Sequence, residues 1–149
     1  MAEFPPPSLQ PLIQEIFDLL KARNETVSVA ETVRTPSCLY TVYLLSPSRV
    51  KPNILISSYQ AAGGLISASL LSTPGASSIY KGGLTVYTLE SRVAFAGWTS
   101  ANIEKYKGPT TEIVANMADH TRQTLGSTYA ISESGTAGPT GGTTRNRTP

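Results

Sequence analysis

The segment SGTAGPTGGTTRNRTP concentrates the residues best suited to hold an anion. Gly135, Gly138, Gly141 and Gly142 follow a short apolar run, with Thr136 between the first two. Closely spaced glycines after a strand can turn successive backbone N–H groups toward a phosphate or carboxylate, and Arg145 and Arg147 add positive charge beside them. The segment lacks the lysine and hydroxyl pair of a P-loop and the spacing of a dinucleotide fingerprint, so neither ATP nor NAD follows from it. A glycine-rich stretch also serves as a plain connection. Other reactive residue types are scarce. Cys38 is the sole cysteine, which excludes an internal disulfide or a zinc site built on thiolates. His120 falls on the polar side of its helical pattern with no partner at catalytic spacing, as a solvated surface residue would. No metal or cofactor is expected.

Elements to position these residues can be read from periodicity. Ser8 precedes a helix in which Leu9, Leu12, Ile13, Ile16, Phe17 and Leu20 fall on one face, and Pro11 sits in its first turn, where the missing N–H costs no hydrogen bond. TVSVAE reads as a short buried strand ending at Glu31 and Thr32. GGLISASLLSTPGASS opens a short helix at Gly63 and Gly64 and stops it at Pro74-Gly75. GGLTVYTL is the next strand, SRVAFAG a short helix or turn, and TSANIEKY a further helical turn capped by Thr99 or Ser100. Thr110 or Thr111 caps a longer helix whose Ile113, Val114, Met117, Ala118, Thr121 and Leu125 trace one face. STYAISE is the last strand and leads into the glycine-rich segment. Helices alternating with short buried strands argue an α/β layered fold.

The chain has 149 residues, 40% of them hydrophobic and 15% charged, which suits one domain with one core. The formal charge of +2 equals the contribution of Arg145 and Arg147, and no basic stripe interleaved with aromatics accompanies it, so nucleic acid is not an expected partner. No run approaches the roughly 20 apolar residues of a membrane span. With an acidic, proline-rich start in place of a secretory leader, a cytoplasmic protein is expected.

Several ordered blocks carry a family resemblance: SVAET, AAGGLISASLLSTPGASSIYKGGLTVYT, GPTTEIVANMA and SGTAGPTGGTT. Together they resemble the CinA C-terminal domain family, whose members include nicotinamide mononucleotide deamidases, and they span nearly the whole chain outside residues 33–60. The resemblance implies a three-layer α/β/α sandwich. It also implies hydrolysis of nicotinamide mononucleotide to nicotinate mononucleotide and ammonia, a mononucleotide as ligand, and a site at the first block; a homo-oligomer is compatible with it. In that chemistry a hydroxyl at the end of the first strand attacks the amide carbonyl while N–H groups at the next helix start face the oxyanion.

Carried onto these residues, Thr32 stands where the family has the serine nucleophile, and Gly63 and Gly64 stand at the helix start. Thr32 alternatively just ends a strand. Glu31 either orients a ligand hydroxyl or is a solvated charge at a strand end. Tyr87 either hydrogen-bonds the substrate or packs in the sheet. Arg92 replaces the lysine expected as base; a guanidinium does not accept the proton, although it can clamp an anion. A catalytically silent mononucleotide-binding protein is therefore an alternative to an amidohydrolase, and a defective product a third. Thr111 and Pro109 match a further block near the site, and Thr111 alternatively serves only as a helix cap. The resemblance assigns the glycine-rich segment to ligand binding.

The first block is split. Ala30, Glu31 and Thr32 supply its beginning and Ala62, Gly63 and Gly64 its end, with 28 residues, 33–60, between them. The segment reads as translated intron sequence, because Val33-Arg34 can be written GTA-AGR and Tyr59-Gln60 as TAY-CAG, like the two ends of an intron. The alternative is a genuine insertion folded as a β-hairpin from CLYTVYLL and NILISSY. On the first reading it is a poorly packed excursion whose removal stabilises the domain. Chains of the family type also continue past the glycines with another apolar strand and a helix. This sequence stops at Pro149, which reads as a fragment with an open sheet edge.

Overall fold

Five consecutive buried residues, Val27–Glu31, form the first strand (β1) and occupy the interior of the sheet. In the computed structural model, residues 4–32, 41–45, 63–106 and 110–135 are described. Helix α1 (Gln10–Ala22) precedes β1, and β2 (Thr41–Leu45), α2 (Leu65–Leu71) and β3 (Tyr80–Thr85) follow it. Then come α3 (Leu89–Phe95), α4 (Ser100–Lys105), α5 (Thr111–Leu125) and β4 (Tyr129–Ser134). The strand order is β2-β4-β1-β3, with β1 parallel to both neighbours and β2 antiparallel to β4.

The alternation of β1 divides the core in two. Val27 and Val29 point to one face, where Ile13, Phe17 and Leu20 of α1 and Leu70 of α2 cover them. Full burial of Phe17 there contributes roughly 2 kcal/mol. Ala30 points to the other face, against Met117 of α5 with Val86, Ala96 and Trp98. Helices on both faces of a mostly parallel sheet give the α/β/α layering expected from the sequence. Among the described residues no helix is long and apolar enough to cross a membrane.

Most helix ends follow their local signals. Thr99 and Asn102 form a reciprocal capping box at α4, and Thr110, not Thr111, caps α5 by accepting the Ile113 N–H at 3.2 Å. The start of α1 differs from expectation. Leu9 is its N-cap and makes no side-chain capping bond, so Ser8 has no capping role. The apolar residues of α1 also divide: Ile13, Phe17 and Leu20 are buried, whereas Leu9, Leu12 and Ile16 are 41–56% exposed, because one sheet face accepts only the narrower stripe. His120 is half-buried rather than solvated. Its ring lies against Gly97, where a Cβ would approach Nδ1 to 2.5 Å and where φ is +73°.

Residues 41–45 belong to the segment expected to loop out of the domain, and instead they are part of its sheet. Thr41 pairs with Ser134, Tyr43 with Ser132 and Leu45 with Ala130. The physical reason is the edge of β4, whose N–H and C=O groups need partners that an antiparallel strand provides. CLYTVYLL thus contains a strand, as the hairpin reading required; NILISSY lies outside the described residues. A variant lacking residues 33–60 is expected to unfold at lower urea than the intact chain, because β4 loses its outer neighbour. An unchanged or higher midpoint would show that β2 contributes nothing to the sheet's stability.

Candidate functional site

The carboxyl ends of β1 and β4 lie side by side, and of the two strands parallel to β1, β3 lies on one side and β4, later in the chain, on the other. Open α/β sheets bind ligands outside the carboxyl ends of the strands at such a reversal. Thr32, Ser134 and Gly135 meet there, all buried. Thr32 Oγ1 accepts the Gly135 N–H at 3.0 Å and lies 3.5 Å from Ser134 Oγ, to which it donates. The backbone N–H of Thr32 donates to Glu133 Oε2 at 3.3 Å. The first and last blocks of the sequence, about a hundred residues apart, thus converge on one hydroxyl.

Glu31 is neither a solvated charge nor a group free to hold a ligand. It is fully buried, and its carboxylate reaches the N-terminus of α2. Oε2 accepts the N–H groups of Gly64 and Ile66, both at 3.0 Å, while Oε1 accepts the Ser67 N–H at 2.9 Å and the Ser67 hydroxyl at 2.6 Å. A carboxylate at the positive end of a helix, taking its orphan donors, is doubly favourable. Gly64 makes the approach feasible with φ of +97°, a conformation that suits glycine. The consequence corrects one expectation: the Gly64 N–H is committed to Glu31 and is not an open oxyanion donor. Gly63 precedes it, exposed, with φ of +54°.

Arg92 is only 3% exposed. Its guanidinium lies beside two rings that meet edge to face, Trp98 at 5.1 Å from the ring centre and Tyr106 at 5.3 Å, and Nη1 donates to Tyr106 Oη at 3.3 Å. No hydrogen bond joins it to Thr32. Tyr87 does not pack in the sheet: it follows β3 and is 67% exposed, with its backbone N–H donated to Ser91 Oγ. Thr111 is the exposed first residue of α5. Thr136, Gly138, Gly141, Gly142 and Pro109 lie outside the described residues. The structure therefore joins Thr32 to Gly135 and Glu31 to Gly64, and it leaves Tyr87 and Thr111 apart from these two pairs.

Sequence reasoning passed over Ser132, Glu133 and Ser134, all fully buried. The signal was present in ISES, where three consecutive polar residues end a strand that is covered on both faces. Polar residues at such positions are costly unless they meet partners or a ligand. Ser132 Oγ is buried with no hydrogen-bond partner among the described residues.

The comparisons with known proteins agree on one family. The CinA C-terminal domain matches residues 57–148. A CinA-like protein of Fervidobacterium nodosum is 35% identical over 94 residues, 62% of this chain and 23% of that protein. A CinA-like protein of Dictyoglomus thermophilum is 31% identical over 132 residues, 89% of this chain and 25% of that protein. The chain thus spans about a quarter of the length of the curated relatives it matches. Among solved structures, competence/damage inducible protein CihA of Agrobacterium tumefaciens superposes with a TM-score of 0.67 at 22% identity, covering 95% of this chain and 68% of that one. A CinA superfamily protein of Escherichia coli gives 0.66 at 17%, covering 95% and 64%. At these identities the structural likeness shows the fold.

Two outcomes follow from the Glu31 network. Glu31→Ala leaves three N–H groups of α2 without their acceptor and is expected to destabilise the protein by on the order of 3 kcal/mol, measured by urea unfolding. Tyr80 is pushed above its ordinary value of 10.0 chiefly by burial, with a smaller upward push from the Glu31 charge and an opposing hydrogen bond with Ser67. A raised folded-state value means that the unfolded chain loses this proton first. The associated stability is present below pH 10 and is lost as pH rises through the raised value. Tyr80→Phe should flatten that alkaline decline in unfolding free energy, and an identical slope in the two proteins would exclude Tyr80 as its source.

Proposed function

Because the chain belongs to the CinA C-terminal domain family, we propose that it binds a mononucleotide of the nicotinamide type at the carboxyl ends of β1 and β4 and releases little or no ammonia from it. The observation that carries this reading is the setting of Thr32. Its hydroxyl is held between Ser134 Oγ and the Gly135 N–H, a neutral hydroxyl and a donor. Neither removes a proton at neutral pH, and hydroxyl attack on an amide needs that removal. Arg92 stands at the position of the expected lysine and does not serve as a base, since arginine keeps its charge.

Binding asks less of the site than catalysis does. A phosphate needs N–H donors and positive charge, both available without any proton transfer. With Glu31 occupying the donors at the start of α2, the anion is left to the glycine-rich sequence that begins at Gly135. An amidohydrolase converting nicotinamide mononucleotide and water to nicotinate mononucleotide and ammonia is the second reading. One contact favours it: Gly135 holds an N–H beside the Thr32 hydroxyl, where an oxyanion donor would be useful.

Calorimetric titration with nicotinamide mononucleotide, paired with an ammonia assay on the same preparation, tests the proposal. Saturable binding that weakens as salt rises is expected, with ammonia release no faster than in a Thr32→Ala variant. Turnover that falls by two or more orders of magnitude in Thr32→Ala would establish the amidohydrolase instead. Absence of binding would overturn both readings.

A further inference from the structure

A buried guanidinium ordinarily meets a carboxylate, and among the described residues Arg92 meets none. Its neighbours are two aromatic rings and one phenolic hydroxyl, and the single ion pair among the described residues joins Arg122 to Asp119 elsewhere. Nε is buried and has no hydrogen-bond partner among the described residues. Stacking on Trp98 and Tyr106 offsets part of the cost of burying the cation, but cation–π contact satisfies no N–H donor.

The unused donors have a defined geometry. Nη1 is committed to Tyr106, which leaves the side of the guanidinium that carries Nε and Nη2. Those two N–H groups are parallel and coplanar, spaced to meet the two oxygens of one planar oxyanion. We propose that Arg92 is the receptor for a carboxylate, bound side-on through Nε and Nη2 with Trp98 and Tyr106 holding the guanidinium plane. Charge balance selects the carboxylate over a phosphate. One guanidinium neutralises one carboxylate, whereas a phosphate dianion would leave a net negative charge in a site lined by rings. Of the two rings, Trp98 is 7% exposed and Tyr106 is half-buried, so Tyr106 is the wall that a ligand would have to displace.

A residue that recognises a carboxylate discriminates against the corresponding amide. The amide group offers one acceptor and two donors, and the donors face the N–H groups of Arg92. In this site an aromatic acid should outbind its amide, which is the preference of a protein that retains or senses an acid rather than one that consumes an amide. This inference goes beyond the mononucleotide reading and stands or falls separately, because its probes carry no phosphate and no ribose.

Trp98 is the only tryptophan in the chain and touches the guanidinium, so its emission reports on the site. The full chain is titrated with nicotinate, nicotinamide and inorganic phosphate. Nicotinate is expected to change Trp98 emission saturably, with nicotinamide about 10- to 100-fold weaker, the range for a hydrogen bond to a charged group, and phosphate weaker than nicotinate. Arg92→Met should abolish the nicotinate response while retaining the circular dichroism of the parent. Should that variant unfold, Arg92→Lys decides, since it retains a positive charge without the two-donor edge and should bind nicotinate at least about tenfold more weakly. Equal affinity for acid and amide, tighter binding of phosphate, no saturable response to nicotinate, or undiminished nicotinate binding in Arg92→Lys would each overturn the assignment.

Discussion

The carboxylate of Glu31, buried at the end of β1 and hydrogen-bonded to the first turn of α2, is the interaction on which the site's geometry depends. Helix α2 has seven residues, too few to persist on its own, and its start must be fixed by something outside it. Three backbone N–H groups and one hydroxyl converge on Glu31 across 33 to 36 residues of sequence. Lengthening the connection from a few residues to this span costs roughly 2 kcal/mol of loop closure entropy. Charge-assisted hydrogen bonds contribute about 1.5–3 kcal/mol each when buried. The bonds exceed the entropy, which explains how the end of β1 and the start of α2 stay together although 28 residues separate the two halves of their sequence block.

The same carboxylate determines where chemistry can occur. A helix N-terminus is a ready anion site, and here it is filled by a side chain. Incoming negative charge finds the N–H groups of Gly64, Ile66 and Ser67 already taken. Thr32, one residue past Glu31, is drawn to β4 through Gly135, Ser134 and Glu133, on the opposite side of β1 from β3. The two adjacent residues therefore serve different purposes: Glu31 ties β1 to α2, and Thr32 ties it to the end of β4.

Local signals carried much of the fold. The short buried strands, the glycine start of α2 and the threonine caps of α4 and α5 each follow from chemistry within a few residues, and each is found. What escaped depends on distant partners. Nothing beside Glu31 in sequence distinguishes a solvated strand end from a buried cap, because its partners begin at Gly64. The two rings beside Arg92 come 6 and 14 positions later, past the end of α3, where no periodicity of that helix announces them. Thr41–Leu45 reads as a strand, but its place beside β4 follows from the need of that edge for a partner and not from its own composition. Leu9, Leu12 and Ile16 share the apolar character of the buried residues of α1, and only the width of the underlying sheet separates them.

The assignment of the α2 terminus to scaffold is testable at single residues by nuclear magnetic resonance. Amide resonances of the 15.8 kDa chain are followed during titration with nicotinamide mononucleotide. The Gly135 amide is expected to move with saturation, while those of Gly64, Ile66 and Ser67 stay in place because Glu31 holds them. Movement of Gly64, Ile66 and Ser67 with Gly135 unchanged would mean that the ligand displaces Glu31, and would contradict the assignment of the α2 terminus to scaffold rather than to ligand.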